Sequence, residues 1–170
     1  MLQNHIVWAK SLSVGDETYG PFKPITSERF LNNTFEDIFH FTKSGHVPLH
    51  RRAIGVPFKW KSNIARFGHT EDRRCKGNIW FIPYAPVQSK AGKHNHPAIF
   101  PVALVEHAIK LHGAREDLLV LDPFVGTGTA TIAAMRLGVQ SIGIDLDPSY
   151  VATAKTRIEA EAATQKHVAA

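Results

Sequence analysis

The chain is short of the features that mark several protein classes. It has one cysteine, Cys75, in 170 residues. That excludes a disulfide framework within one chain and fits a reducing compartment, so a cytoplasmic location is expected. It has no run of about 18 apolar residues, the length that marks a membrane helix. Met1-Leu2-Gln3-Asn4-His5 shows no basic stretch leading into an apolar one, so no secretion signal is read. There is no low-complexity tract. No lysine follows the Gly126-Thr127-Gly128 pair, which excludes a Walker-type phosphate loop. A dinucleotide loop asks for a third glycine, and residues 130–134 provide none.

What is present is enough for a folded core: 44% hydrophobic and 21% charged residues, with a net charge of +5. The charge is uneven. Between Lys43 and Lys76 there are nine Lys/Arg against two acids, Glu71 and Asp72. Concentrated positive charge points to a polyanion footprint. Arg51, Arg52, Lys59, Lys61, Arg66, Arg73 and Arg74 are the candidate polyanion-contacting side chains. Trp8 and Trp80 read as packing residues. Trp60, flanked by Lys59 and Lys61, stays open as a base-stacking platform.

Three regions follow from composition. Residues 1–42 hold strand-like runs at His5–Trp8 and Asp37–Phe41, rich in β-branched and aromatic side chains, joined by a Gly/Pro loop around Tyr19-Gly20-Pro21. Asp16-Glu17 reads as a turn pair in that loop. Residues 43–92 form a basic lobe with no sustained period, read as irregular. Residues 93–170 carry a β-α-β-α pattern behind a first helix over Pro101–Leu111. Leu118–Leu121 is an apolar run suited to a parallel sheet covered on both faces. Thr131–Leu137 is a helix ended by Gly138, Ser141–Ile144 a second strand, and Pro148 to about Ala163 a last helix. Alternation of this kind predicts an α/β fold with a parallel sheet.

The turn Asp122-Pro123-Phe124-Val125-Gly126-Thr127-Gly128-Thr129 lies between the first strand of that pattern and its helix, where such folds hold a ligand. Glycines let the backbone bend sharply and approach a ligand closely. Asp145 ends the second strand 23 residues after Asp122, close to the spacing of a ribose-binding carboxylate. His94, His96, His107 and His112 match no zinc spacing, and Cys75 has no cysteine partner, so no metal is expected.

The segment Asp122–Thr129, followed by Gly143-Ile144-Asp145 and Tyr150, resembles the cofactor motif of the DNA amino-methyltransferases, which act on adenine N6 or cytosine N4. His96-Pro97-Ala98-Ile99-Phe100-Pro101 resembles the second cofactor motif, placed before the glycine motif in one class of these enzymes. Val7-Trp8-Ala9-Lys10-Ser11 resembles the Trp-x-Lys strand that follows the catalytic half. The resemblance implies a partial Rossmann-like methyltransferase fold with an irregular basic lobe, and S-adenosylmethionine as cofactor. It divides the chain into strands from the end of the catalytic half (1–42), a target-recognition lobe (43–92) and a cofactor-binding half (93–170). Phe124, Gly126, Thr127, Gly128 and Thr129 would wrap the cofactor, Asp145 would accept from its ribose hydroxyls, and His96 and Phe100 would line its other side. Asp122 would face the cofactor's amino group or cap the turn.

The family's catalytic Asp/Asn/Ser-Pro-Pro-Tyr/Phe tetrapeptide does not occur in the 170 residues. Asp122-Pro123-Phe124 belongs to the glycine motif, and Ile82-Pro83-Tyr84 lacks the polar first residue and second proline. In the class resembled, the tetrapeptide precedes the Trp-x-Lys strand. The catalytic strand is therefore expected on another polypeptide or segment, through a split enzyme, a gene fragment or a longer parent protein. A chain without it is expected to be inactive alone, with an unpaired sheet edge that invites a catalytic-half subunit or self-association. Double-stranded DNA is the expected partner. C5-cytosine methylation fits poorly, because Cys75 stands between Arg74 and Lys76 rather than after a proline. A non-catalytic DNA-binding module is the alternative from another class, and an RNA or protein methyltransferase a weaker one.

Overall fold

The computed structural model describes residues 1–22, 25–84 and 100–168, the last three by their backbone. The architecture is mixed α/β, in two compact units. The first comprises Met1–Ala85 with Lys110–Gly113, and the second Pro86–Ile109 with Ala114–Ala170.

In the first unit, β1 (Leu2–Ala9) is the central strand of a three-stranded sheet, antiparallel to β4 (Phe35–Phe41) and parallel to β5 (Ile79–Phe81). Side chains alternate across a strand, so Ile6 and Trp8 share the buried face of β1. Trp8 stands beside Trp80 of β5, and both are buried. A buried indole N–H needs an acceptor. Trp8 Nε1 donates to the Ile82 carbonyl at 2.8 Å and Trp80 Nε1 to that of Gly77 at 3.2 Å. Gln3 ties the start of β1 to the following loop: its Oε1 accepts from Thr42 Oγ1 and the Val47 N–H, and its Nε2 donates to the Val47 carbonyl.

Two sequence expectations need correction in this unit. The loop around Tyr19 contains a small hairpin, β2 (Leu12–Val14) against β3 (Glu17–Tyr19), turning through Gly15 at φ 59° and Asp16. Three-residue strands are too short for alternation to be recognised, and Glu17 belongs to β3 rather than to the turn. The basic lobe is also less irregular than expected. It holds α1 (Ser62–Arg66), a bridge between Val56 and Arg74, and β5, which completes the β1 sheet. Residues 1–42 and 43–85 thus share one unit.

In the second unit, β6 (Leu119–Asp122) and β7 (Gln140–Gly143) pair in parallel, with Leu121 opposite Ile142 and Asp122 opposite Gly143. Helix α3 (Thr129–Arg136) connects them. Its C-terminus closes with Gly138 at φ 66°: the Gly138 N–H donates to the Met135 carbonyl and the Val139 N–H to that of Ala134. This doubly bonded glycine cap satisfies two of the free carbonyls at the helix end. Ile109 of α2 (Val102–Leu111), Ala133, Ala134 and Val139 form the core, with Val102, Val105, Leu118, Val120 and Leu137 packed on it. Helix α4 (Pro148–Val168) runs beyond the Ala163 end expected from the sequence. Asp147 caps it, its Oδ1 accepting the Ser149 N–H at 2.8 Å, and proline sits at the first position, where no N–H is needed. Arg136 joins α3 to α4 through two bonds to Glu161 at 2.7 and 2.9 Å, and lies 3.6 Å from Glu106 of α2.

The expectation that β6 is covered on both faces is not met among the described residues. Val120 faces the helices, whereas Leu119, Leu121 and Ile142 on the opposite face are about half exposed or more.

Candidate functional site

The turn between β6 and α3 is built by its own hydrogen bonds. Asp122 Oδ1 accepts the Phe124 N–H at 3.0 Å, so this carboxylate caps the turn. The Ile144 N–H donates to the Asp122 carbonyl, and the Val125 N–H to that of Ile144, both at 2.8 Å. These bonds continue the β6–β7 ladder into the loop. Gly126 and Gly128 then take φ of 50° and 84°, values open to glycine at little cost. Gly143 serves the same turn for another reason: a Cβ there would lie 2.5 Å from Val125 Cγ2.

Asp145 faces the turn from the end of β7. Its Oδ2 accepts the Gly126 N–H at 2.9 Å and its Oδ1 the Asp147 N–H at 3.0 Å. The Asp147 bond, then the Gly126 bond, hold its carboxyl below the usual carboxylate range. A carboxylate has about four acceptor positions, so two bonds leave room for a pair of hydroxyls. Asp147 is held low in the same way, by the Ser149 hydroxyl and then the Ser149 N–H. Two apolar side chains stand in solvent beside this carboxylate: Phe124 is 84% exposed and Leu146 99%. Thr127 and Thr129 are buried in the turn. Phe100, just before α2, is partly exposed. His96 and His94 lie outside the described residues.

Sequence reasoning missed Leu146 and Arg157. The first is signalled only by its place after Asp145. The second comes from the third turn of α4: Arg157 Nη1 donates to Thr127 Oγ1 at 2.7 Å and to the Thr127 carbonyl. Burial lowers the pKa of this guanidinium from its ordinary value, opposed by Glu161.

The basic candidates of the first unit separate by what they already bind. Arg73 Nη2 donates to the Gly55 carbonyl at 2.9 Å and Arg74 Nη1 to that of Cys75 at 3.2 Å. Lys61 pairs with Asp72, whose carboxyl it holds below the usual range. Lys59 lies over the Trp60 ring at 5.2 Å, and Arg66 over Phe67 at 5.6 Å. Trp60 remains exposed. Arg51 and Arg52 have no side-chain hydrogen bond or ion pair among the described residues, and line a cleft of about 860 Å³ with His50, His69, Phe67 and Arg73. The histidines weighed as metal ligands go separate ways. His107 Nδ1 bonds the Ala103 carbonyl of its own helix, and the His112 ring meets His40 edge-on. Among the described residues no cluster could hold a metal, and no helix is long and apolar enough to cross a membrane.

Comparison with known proteins matches residues 1–156 to the family described as DNA methylase of the N6/N4 type. The chain belongs to this family. Arg157 stands one position beyond the match. The type II methyltransferase M2.DpnII of Streptococcus pneumoniae is 45% identical over 158 residues, 92% of this chain and 58% of that protein. The chain thus spans little more than half the length of this relative. Among solved structures, the PvuII DNA methyltransferase (cytosine-N4-specific) aligns over 92% of this chain and 50% of its own, with a TM-score of 0.65 at 20% identity. The M1.HpyAVI–SAM complex aligns over 92% and 61%, with a TM-score of 0.55 at 24% identity. Both likenesses concern the fold.

Proposed function

We propose that this chain forms the S-adenosylmethionine-binding and DNA-recognition part of a site-specific DNA methyltransferase that modifies an exocyclic amine, adenine N6 or cytosine N4. The observation that carries this is the turn closed on Asp145, in which the carboxylate is fixed by the Gly126 N–H beside exposed Phe124 and Leu146. It stands in a chain of the N6/N4 family. The residues fit the cofactor: Asp145 keeps acceptor capacity for the ribose hydroxyls, Phe124 and Leu146 offer apolar surface to the adenosine, and Gly126–Thr129 bring backbone close to the methionine end. His96 and Phe100 would line the other side. The fold read here is the cofactor half of a Rossmann-like methyltransferase, with residues 43–92 as its recognition lobe.

Bound there, the cofactor supplies a methyl group on a sulfonium leaving group. The chain's own residues bind and orient it. Localising the lone pair of the target amine needs the acceptor groups of the Pro-Pro-Tyr type tetrapeptide, which the 170 residues do not contain. We therefore assign that step to a polypeptide segment outside them, contiguous or separate, that covers the exposed face of β6 and β7. Duplex DNA is the substrate proposed for the basic cleft. Arg51 and Arg52 are its leading phosphate contacts, and the already engaged Arg73, Arg74, Lys61, Lys59 and Arg66 are secondary ones. The absence of the tetrapeptide from these residues favours one second reading, a non-catalytic DNA-binding module. Calorimetric titration with S-adenosylmethionine, beside methyl transfer to mixed-sequence DNA with and without a tetrapeptide-bearing polypeptide, separates the two. Saturable cofactor binding and transfer restored by the added polypeptide support the enzyme. DNA binding without cofactor binding supports the module.

A further inference from the structure

The two glycines on either side of Thr127 leave the ligand turn without local stiffness. Gly126 and Gly128 both sit at positive φ, where a glycine peptide has many neighbouring conformations to choose from. Something outside the turn must choose one. Asp145 fixes the Gly126 end and the Val125 carbonyl accepts the Gly128 N–H at 2.8 Å. The peptide between them is held from α4. Ala154, buried, lies under Gly128 so closely that a Cβ there would sit 3.0 Å from its own. Arg157, three residues further and so on the same helix face, reaches Thr127 with one guanidinium nitrogen and meets both its carbonyl and its hydroxyl. Thr127 is only 4% exposed, so this grip lies within the packed side of the turn.

We infer that Arg157 is a positioning residue for the ligand turn: it holds the Thr127 peptide in the one orientation that presents the turn's backbone to the cofactor. This rests on the S-adenosylmethionine reading above. The position is chosen for geometry rather than for charge alone. A guanidinium nitrogen donates in fixed directions, and here one nitrogen serves two oxygens of one residue. Glu161, one helical turn on, keeps a carboxylate near the guanidinium while bonding Arg136. Helix α4 thereby acts on the turn through Thr127.

The test uses the chain with Arg157→Met, Arg157→Lys and Thr127→Val, each titrated calorimetrically with S-adenosylmethionine. Amide exchange is followed without ligand. Arg157→Met keeps the apolar stem and loses the donors, and should weaken binding roughly tenfold, equivalent to about 1.4 kcal/mol. Arg157→Lys keeps a charged donor but loses the fixed guanidinium geometry and some reach, so its loss of affinity should fall between that of the original chain and that of Arg157→Met. Thr127→Val should add little in the Arg157→Met background, because the two act through one contact. In the ligand-free chain, Arg157→Met should speed exchange at Gly126 and Gly128 while Ala133 and Ala134 of α3 stay unchanged. Uniform acceleration would reveal a merely structural residue and overturn the proposal, as would undiminished cofactor affinity of a folded Arg157→Met chain. If the unaltered chain fails to bind S-adenosylmethionine, the proposed function falls, and the selective exchange pattern still decides whether Arg157 positions the turn.

Discussion

Gly143→Ala is the sharpest single test of how the site is built. Gly143 does not sit at positive φ, so its freedom of backbone is not the issue. The added methyl would stand 2.5 Å from Val125 Cγ2 and 2.9 Å from Val125 Cβ. Valine is branched at Cβ and stiff at χ1, so rotation offers little relief. The Val125 backbone cannot retreat freely either, because its N–H is bonded to Ile144 and its carbonyl holds the Gly128 N–H, both at 2.8 Å. Overpacking of this kind costs about 1–3 kcal/mol. At roughly 2–4 °C per kcal/mol for a chain of this length, the midpoint of thermal unfolding should fall by about 2–12 °C. Cofactor affinity should fall with it, because Val125 is the residue that leads into Gly126. Val125→Ala in the Gly143→Ala background removes Cγ2 and should recover part of the loss, a favourable coupling of roughly 1 kcal/mol. Thermal melts and calorimetry on the two single variants and the double one give the cycle. An unaltered midpoint and affinity in Gly143→Ala, or strictly additive effects in the cycle, would refute the claim that this glycine exists to admit Val125.

Other outcomes follow from the same geometry. Asp145→Ala should weaken S-adenosylmethionine binding by roughly tenfold or more through its unsatisfied partners, measured by calorimetry. The carboxyls of Asp145 and Asp147 are held below their ordinary range, so their ionised bonds are fully present above the unfolded carboxylate pKa of about 4. They are lost only as pH falls through the lower folded values. Binding should therefore be flat through neutral and mildly acidic pH and collapse below it. Replacing Arg51 and Arg52 by Gln should flatten the plot of log DNA affinity against log salt, by about 0.9 for each phosphate that is no longer neutralised. Arg73→Gln, which frees the Gly55 carbonyl, should act mainly on thermal stability. The 170-residue chain assayed alone should transfer no methyl groups to DNA, and a polypeptide bearing the Pro-Pro-Tyr type strand should restore transfer. A barrier higher by about 6 kcal/mol slows turnover more than ten-thousand-fold.

What the sequence made legible in this chain is what local chemistry decides. The β6–turn–α3–β7 segment could be read because each of its parts is short-range: an apolar strand, glycines where φ must turn positive, a glycine cap at Gly138, and a carboxylate one strand later. The helix α4 start was equally plain, since Asp147 and Pro148 are a capping pair. Apart from the hairpin of β2 and β3, whose strands are too short to show alternation, the main failures are long-range. Ile79-Trp80-Phe81 is no better a strand than many three-residue runs, and becomes one because β1, about seventy residues earlier in the sequence, supplies the ladder and the Trp8 partner. Charge density marked residues 43–76 as a footprint, but it could not show that Arg73 and Lys61 are already engaged while Arg51 and Arg52 line the cleft. The same holds at the ligand turn. Its motif residues are those that touch one another within a few positions or end the neighbouring strand, and they are the ones a pattern reveals. Arg157 acts across thirty residues of separation through two oxygens of Thr127, and no local pattern could have singled it out from the other cations of a long helix. A site of this kind therefore has a visible half, fixed by turn chemistry, and a hidden half, fixed by whichever helix face packs against it.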